Sequence, residues 1–144
     1  MVPSDMTIIK IKKIIEKKCL TEVATIVDEI SGKEKERLLL NTDLFIMTSR
    51  LEGHPMGLIE ALAYGVPCLI SRGTNMYDEV KNSCAGWVCE SEEESIEEAL
   101  LKMLDETGTL PQKSAAAREL ASCYQWDKLA RQFHDEVMQM KTIR

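Results

Sequence analysis

Residues 49–65 read Ser-Arg-Leu-Glu-Gly-His-Pro-Met-Gly-Leu-Ile-Glu-Ala-Leu-Ala-Tyr-Gly, and the predicted elements on either side are organised around this stretch. Its two glutamates, Glu52 and Glu60, have seven residues between them, including the glycines and the proline of a loop. From Met56 onward the pattern becomes apolar and helical, so one carboxylate precedes a helix and the other lies inside it. A helix start carries unpaired backbone N–H groups and a partial positive charge. The stretch therefore predicts a site for an anionic ligand.

Short apolar segments near this stretch predict strands of a parallel sheet. The segment of residues 44–47 is apolar on both faces, as expected of a strand buried between two layers of helices. Gly65 and Pro67 end the helix of residues 56–64, because glycine is favoured just after a helix and proline cannot continue one. The three predicted strands comprise residues 44–47, 67–70 and 86–89.

Helical spacing of apolar residues predicts that most of the remaining chain is helical. The first helix is capped by Ser4 and is expected to pack on one side through residues that include Ile11 and Ile14. Another helix opens at a capping box formed by Ser91 and Glu94. The other predicted helices comprise residues 33–41, 75–80, 112–123 and 126–140.

Two assignments rest on the pattern of side chains alone. Residues 22–30 alternate as in a strand, although nothing in them excludes a continued helix, and we prefer the strand. The last helix, residues 126–140, carries Trp126 and Phe133 at helical spacing. These aromatic side chains are expected in the core.

The alternation of strands and helices predicts an α/β fold. The expected architecture is a Rossmann-like parallel sheet with helices on both faces and further helices at the C-terminus. Such sheets bind ligands beyond the carboxyl ends of their strands, and the loop that contains Glu52 follows one of the predicted strands.

Composition predicts one globular domain over residues 1–144, since 44% of the residues are hydrophobic and 29% are charged. The net charge of −6 argues against binding to nucleic acid, which needs clustered lysine and arginine. An apolar run of about 18 residues and a signal-peptide pattern are both absent, so a soluble cytoplasmic protein without a transmembrane segment is expected. The five cysteines lack CxxC spacing and are expected to be buried free thiols, and no metal site is expected.

The residues of the central loop suit a phosphorylated ligand that also carries hydroxyl groups. Backbone N–H groups near Met56, Gly57 and Leu58 are expected to hold phosphate oxygens. Glu60 has acceptor oxygens for a pair of vicinal hydroxyls such as those of a ribose, and Glu52 is expected to accept hydrogen bonds from a sugar.

A purely structural interpretation accounts for the same residues. Glu60 would then be a solvated helix residue and Glu52 a capping carboxylate, while Gly53 and Pro55 shape a turn. The spacing of Gly53 and Gly57 carries no dinucleotide-binding fingerprint. The residues alone leave both interpretations open.

A longer run around this stretch resembles a known enzyme family. Residues 41–68 read Asn-Thr-Asp-Leu-Phe-Ile-Met-Thr-Ser-Arg-Leu-Glu-Gly-His-Pro-Met-Gly-Leu-Ile-Glu-Ala-Leu-Ala-Tyr-Gly-Val-Pro-Cys. An apolar strand ending in serine is followed by an E-G-[aromatic]-P motif with His54 at the aromatic position, a second glutamate and an A-x-x-x-G-x-P motif. This order closely resembles the C-terminal donor-binding domain of family 4 (group 1) glycosyltransferases, which are retaining enzymes with the GT-B fold. The resemblance covers residues 33–140 well and residues 1–32 poorly.

The resemblance implies a role for each residue that matches the family pattern. Glu60 is expected to hold the ribose hydroxyls of a nucleotide diphosphate sugar, Glu52 to contact the transferred sugar, and the backbone of residues 55–58 to bind the diphosphate. His54 is expected to line the pocket or to shape the turn, and Glu79 matches a family acidic position on another loop or is an exposed surface residue. Arg72 is included for its place on a loop at a strand end and not for a family motif: it is expected to supply positive charge near the diphosphate or to be an ordinary exposed arginine. The predicted donor-binding set comprises Glu52, Gly53, His54, Pro55, Met56, Gly57, Leu58, Glu60, Arg72 and Glu79.

The chain departs from the family pattern on its N-terminal side. Family members have two Rossmann-like domains and bind the acceptor on the N-terminal one, whereas this chain has room for one. Two further strands, and a loop with an arginine and a lysine that clamp the diphosphate, are not found before Lys10. The chain is therefore interpreted as an N-terminally truncated donor-binding part, inactive without a missing acceptor domain. No catalytic residue, cofactor or metal is assigned.

The missing strands predict an exposed sheet edge. In the strand order 3-2-1-4-5-6 of doubly wound sheets, the strand of residues 44–47 would lack a neighbour. Because such an edge invites pairing with another chain, a homodimer or a re-paired first strand is expected. Two other functions are kept open: a non-catalytic α/β domain with a binding or regulatory role, and an α/β domain with an unrelated ligand at the same loop.

Overall fold

A computed structural model of the chain describes residues 5–142, with side-chain surroundings for residues 6–138. Its contacts divide the chain into two compact units, an N-terminal unit of residues 1–36 and a C-terminal unit of residues 37–144. The single domain expected over the whole chain stays a prediction. Within the described residues, no helix combines the length and the apolar character that crossing a membrane requires.

The N-terminal unit contains helix α1, a segment rich in turns and the start of helix α2. Helix α1 spans Asp5–Lys17, which confirms the predicted first helix, while its predicted cap Ser4 lies outside the described residues. The predicted packing face is only partly covered: Ile11 and Ile14 are 43% and 57% exposed, whereas Ile8 and Ile15 on the same face are half-buried. A helix buries an apolar face only where a neighbouring element covers it.

The strand predicted at residues 22–30 is wrong. Residues 21–23 form a turn, and residues 24–30 have no regular structure. The Val23 N–H donates to the Leu20 carbonyl at 3.1 Å, which is a bond within a turn. A strand needs a neighbour to pair with, and the three strands that the structure describes all lie in the C-terminal unit.

The C-terminal unit alternates strands and helices. Helix α2 spans Gly32–Leu40 and runs into this unit. The elements that follow are β1 Phe45–Met47, α3 Met56–Ala63, β2 Cys68–Ser71, α4 Tyr77–Ser83, β3 Gly86–Cys89, α5 Glu93–Asp105, a 3-10 helix Thr107–Thr109, α6 Leu110–Ser122 and α7 Trp126–Thr142. The strands and helices predicted beyond residue 33 are therefore confirmed, with shifts of a few residues at their ends.

The three strands form one parallel sheet in the order β1-β2-β3. Phe45 aligns with Cys68, and Cys68 aligns with Gly86. The central strand β2 is buried at every residue, whereas Ile46 of β1 is 49% exposed. Among the described residues β1 pairs with β2 alone, so the predicted sheet edge is present at this strand.

Helices cover both faces of the sheet, as predicted. On one face, Cys68 and Ile70 of β2 pack with buried residues of α3, α4 and α6, including Leu62 and Val80. On the other face, Leu69 packs with residues of β3 and α5. Neighbouring side chains of β2 point to opposite faces because strands have a period of two. The α/β class and the Rossmann-like parallel sheet are confirmed.

The capping box predicted at the start of α5 is wrong. Helix α5 begins at Glu93 with Glu92 as its N-cap residue, and no side chain forms a cap hydrogen bond. The Ser91 hydroxyl instead donates to the Ser49 carbonyl at 3.5 Å, because the loop after β3 approaches the loop after β1.

The last helix and several cysteines are more exposed than predicted. Trp126 and Phe133 of α7 are 81% and 70% exposed, so the expectation that they lie in the core is wrong for the described structure. Helix α7 makes no extensive contact with any other described element. The five free cysteines are Cys68 and Cys89, which are buried, and Cys19, Cys84 and Cys123, which are exposed.

Candidate functional site

The loops after the strands meet beyond the carboxyl ends of the sheet. The loop after β1 contains Glu52, whose N–H donates to the Gly73 carbonyl at 2.8 Å. The Asn75 N–H donates to the Glu52 carbonyl at 3.3 Å, and Glu52 forms an isolated parallel bridge with Thr74. Main-chain hydrogen bonds from the loop after β2 therefore fix the position of Glu52.

Side chains at the end of β2 and in the loop after it also donate to carbonyl groups of the first loop. The pairs are Ser71 to Ser49 at 2.5 Å, Thr74 to Met47 at 3.2 Å and Asn75 to Gly53 at 2.9 Å. Ser71 and Thr74 are fully buried. Sequence reasoning missed these residues, although polar residues directly after an apolar strand are a usable signal, because a buried hydroxyl needs a partner.

Gly73 permits the close approach of the two loops. A Cβ atom at this position would overlap the Ser49 carbonyl oxygen and the backbone of Arg50. Glycine is used where one backbone segment passes this close to another. The prediction included Arg72 from this loop but not Gly73, because the sequence does not reveal which loop lies against it.

The start of α3 offers fewer unpaired N–H groups than expected. The Met56 N–H donates to the His54 carbonyl at 2.9 Å, and the Leu58 N–H donates to the Pro55 carbonyl at 3.0 Å. Within the described residues, the Gly57 N–H forms no hydrogen bond of this kind. Gly57 is therefore the backbone donor that this helix start leaves available to a ligand.

Helix α3 has no side-chain cap. Its N-cap residue is Pro55, and no side chain bonds to the first turn. The interpretation of Glu52 as a capping carboxylate is therefore wrong. Pro55 and Leu58 are buried, so their side chains do not face a ligand.

The polar side chains of the predicted set differ in burial. Glu52 on the loop and Glu60 on α3 are both half-buried, whereas His54 is exposed. Met56 is also 47% exposed despite its place at the first position of α3. Water competes less for the oxygens of a half-buried carboxylate, so Glu52 and Glu60 suit the recognition of hydroxyl groups.

Arg72 lies beside these loops, but its charge is already paired. Its Nε atom is 2.8 Å from both carboxylate oxygens of Glu90, and its guanidinium carbon lies 4.4 Å from the centre of the Tyr77 ring. The hydrogen bond and the charge of Glu90 raise the pKa of Arg72 above its usual range. Both side chains are about half exposed, so the pair contributes little to stability. It nevertheless offsets the positive charge that was expected to face the ligand.

Glu79 lies on α4 and its side chain is exposed. Together with Arg72 and Asn75 it lines a cavity of about 290 Å³. Burial raises the pKa of Tyr124, and the charge of Glu79 adds to this increase. The structure thus places Glu79 in the neighbourhood of both Arg72 and Tyr124.

The predicted residues offer hydrogen bonds to hydroxyl and phosphate groups. Glu52 and Glu60 provide acceptors, and Gly57 provides a backbone donor with the partial positive charge of a helix start. Among residues 5–142, no group of three His, Cys, Asp or Glu side chains is arranged to hold a metal ion.

A parallel α/β sheet with interlocked polar loops beyond its carboxyl ends defines a Rossmann-like domain, and domains of this class commonly bind ligands at that edge. The family model "Glycosyl transferases group 1" matches residues 9–120. The chain belongs to this family. The match begins upstream of the run of motifs that indicated the family, and it includes most of α1.

The fold is also similar to that of a solved enzyme, sucrose-phosphate synthase from Thermosynechococcus elongatus, with a TM-score of 0.77 and 18% sequence identity. The alignment covers 94% of this chain and 34% of that protein, so the chain spans about a third of its length. At this identity the likeness shows the fold, a Rossmann-like domain of the GT-B type. A search of the curated proteins found no match.

Proposed function

We propose that this chain binds a nucleotide diphosphate sugar as the C-terminal donor-binding part of a retaining family 4 glycosyltransferase. The observation that carries the proposal is the position of Glu52. In a chain of the group 1 glycosyl transferase family, main-chain hydrogen bonds from the loop after β2 hold the backbone of Glu52 beyond the carboxyl ends of the sheet.

Each proposed contact uses a group whose surroundings suit it. Glu60, half-buried on α3, accepts hydrogen bonds from the ribose hydroxyls. Glu52 accepts from hydroxyls of the transferred sugar, and the exposed His54 lies on the same loop. The Gly57 N–H, at the start of α3, donates to the diphosphate.

The acceptor site and the transfer step are assigned to a separate N-terminal domain, as the resemblance to GT-B enzymes implies. The chain alone then binds the donor without transferring the sugar, and the proposal requires no metal or cofactor. Donor affinity is weak. A helix start contributes about 0.3–1 kcal/mol toward an exposed anion, whereas a guanidinium hydrogen bond contributes about 1.5–3 kcal/mol, and Arg72 is already engaged by Glu90.

The test is a titration of the ¹⁵N-labelled chain with UDP, GDP and their sugars, followed by amide chemical shifts. The proposal predicts changes confined to residues 52–60 and to the loop that contains Arg72. Changes elsewhere, without any in residues 52–60, would contradict the assignment of the donor site.

A non-catalytic binding or regulatory domain with the same fold is the second candidate. The Arg72–Glu90 pair favours it, because it removes a cation that a donor diphosphate would use. Absence of nucleotide binding at millimolar concentration would support this candidate over the first.

The role of Glu60 gives a sharper prediction. Replacement of Glu60 by Ala removes the proposed ribose acceptor and should weaken nucleotide binding by about 1.5–3 kcal/mol, the range for a hydrogen bond to a charged group. Isothermal titration calorimetry with the preferred nucleotide measures the loss. Glu97→Ala, at an exposed position of α5, is the matched control and should retain the original affinity. Unchanged affinity in Glu60→Ala would refute the ribose assignment.

A further inference from the structure

We propose that a second cavity, beside β3, binds a small phosphate-bearing molecule separately from the donor. The cavity has a volume of about 390 Å³ and is lined by residues of α4, β3, α5 and α6. Gly86, the first residue of β3, is part of the lining, whereas the loop of Glu52 lies beyond the carboxyl ends of the strands. The cavity runs along the outer edge of β3, since Gly86, Trp87 and Val88 all line it. None of its lining residues belongs to the loop of Glu52, so the two ligands occupy separate places.

Positive charge is in excess in this cavity. The charged residues that line it are Lys81, Lys102, Lys113, Glu98 and Glu106. Lys102 lies 3.9 Å from Glu106, while Lys81 and Lys113 have no carboxylate oxygen within 4.0 Å among the described side chains. Glu106 is engaged further, since it accepts a hydrogen bond from the Trp87 indole at 2.8 Å. In a chain of net charge −6, a local excess of cations marks a place for an anion.

Lys113 is held in position by neutral groups. Its ammonium donates to the Gly86 carbonyl at 3.1 Å and lies 4.4 Å from the centre of the Trp87 ring. The side chain is half-buried, and a charge removed from water without an opposite charge is costly. An anion in the cavity would reduce this cost, because the ammonium has three donors and the Gly86 carbonyl takes one of them.

The outer edge of β3 adds a backbone donor to the lysines. Successive residues of a strand direct their N–H and C=O groups to opposite sides. The Cys89 carbonyl accepts a hydrogen bond from the Arg72 N–H on the side of β2. Val88 precedes Cys89, so the N–H and C=O groups of Val88 point away from β2. The Gly86 carbonyl, on the same outer side, is the one that Lys113 reaches. Because Val88 lines the cavity, its N–H faces the same space as the ammonium groups.

This set of donors suits a phosphate group. Several lysines acting on one ligand favour an anion with more than one charge, and lysine is an established binder of phosphate. The cavity falls within the range of about 300–1,000 Å³ that is usual for small ligands. Inorganic phosphate fits it, and so does a phosphate group with a small organic substituent.

The experiment uses the ¹⁵N-labelled chain and two probes, inorganic phosphate and ribose 5-phosphate. We expect shifts at the Trp87 indole N–H and at the Val88 amide with at least one probe, and none with ribose or with sodium chloride at matched ionic strength. Saturable binding of inorganic phosphate would show that the free ion is enough to occupy the cavity. Tighter binding of ribose 5-phosphate would show that the cavity also recognises the organic part of the ligand. Shifts at Gly57 without shifts at Val88 would overturn the proposal, because the anion would then occupy the donor loop.

Variants test the lysines separately from the fold. Lys81→Gln and Lys102→Gln should each weaken phosphate binding roughly threefold, as expected for loss of one exposed charge, and the double variant should weaken it further. Lys113 is left unchanged because it also holds Gly86 and Trp87. Lys128→Gln on α7, away from the cavity, is the matched control and should bind as the original chain does. Equal binding by the double variant and the control would overturn the proposal, as would the absence of binding to either probe.

Discussion

At the scale of single residues, Gly73 has the most specific structural role in the candidate donor site. A Cβ atom there would overlap the carbonyl oxygen of Ser49 and the backbone of Arg50. Gly73→Ala therefore forces the two loops apart and should lower the free energy of unfolding by about 1–3 kcal/mol, the usual cost of overpacking. Urea denaturation measures the change.

Gly108→Ala is the control for this substitution, because a Cβ atom at Gly108 would have no neighbour within 4 Å. Its free energy of unfolding should stay within about 0.5 kcal/mol of the original value. If both variants lose stability equally, the close approach at Gly73 is not what constrains the loops.

Cys68 provides a residue-scale prediction about pH. Burial raises the pKa of its thiol from 9.0 to about 12, with Lys113 opposing the increase. Above pH 9 the unfolded chain has lost this proton while the folded chain retains it, so stability falls as pH rises. From about pH 8 to about pH 10, the original chain should lose roughly 1 kcal/mol more unfolding free energy than Cys68→Ala. Cys19→Ala serves as a control for loss of an exposed thiol, and an equal pH dependence in the original chain and Cys68→Ala would contradict the assignment.

The site could be predicted from sequence only as far as single motifs allow. Glu52, Gly57 and Glu60 were placed on a loop and a helix start because turn residues and apolar spacing act over short distances in the chain. The bonds of Ser71 and Asn75 to the same loop were not predictable, since they depend on which strand lies next to β1. Sequence spacing does not contain that information.

At the scale of elements, α7 shows that an amphipathic sequence pattern does not ensure that the apolar side chains are buried. Phe133 on α7 is 70% exposed, whereas Leu62 on α3 is fully buried. Leu62→Ala should therefore cost about 2–5 kcal/mol of unfolding free energy, while Phe133→Ala should change it by no more than about 0.5 kcal/mol. Chemical denaturation of both variants makes the comparison. A large loss in Phe133→Ala would mean that α7 is covered in solution.

The burial predicted for the aromatic residues of α7 and the strand predicted at residues 22–30 are wrong for the same physical reason. The apolar spacing in α7 shows that a neighbouring element could bury one face of the helix. The alternation in residues 22–30 shows that the segment could form a strand if another strand lay beside it. Whether they are depends on a second element, and the sequence of one segment does not specify its neighbour. The prediction of strands β2 and β3 is confirmed because both are short apolar segments that begin at or next to a proline or a glycine.

At the scale of the whole molecule, the open edge of β1 predicts association. Ile46 lies on this edge and is 49% exposed, and unpaired edge strands pair readily with a second copy. We expect sedimentation velocity to show a dimer that increases with protein concentration. Ile46→Lys should shift the chain toward monomer, because a charged side chain on an edge strand opposes pairing.

Leu101→Lys is the matched control for this substitution, since Leu101 is an exposed residue of α5 away from the edge. It should associate as the original chain does. A strictly monomeric original chain at high concentration would refute the edge as the site of association.

The interlocking of the two loops also has a consequence for redesign of the protein. Glu52 is held through its own N–H and carbonyl groups, which every amino acid except proline provides. Neighbouring side chains such as His54 and Leu51, the latter 90% exposed, take no part in that framework. Libraries that vary positions 50, 51 and 54 together should therefore leave the shape of the chain unchanged, so the side chains of the proposed donor site can be altered without a matching change in the scaffold.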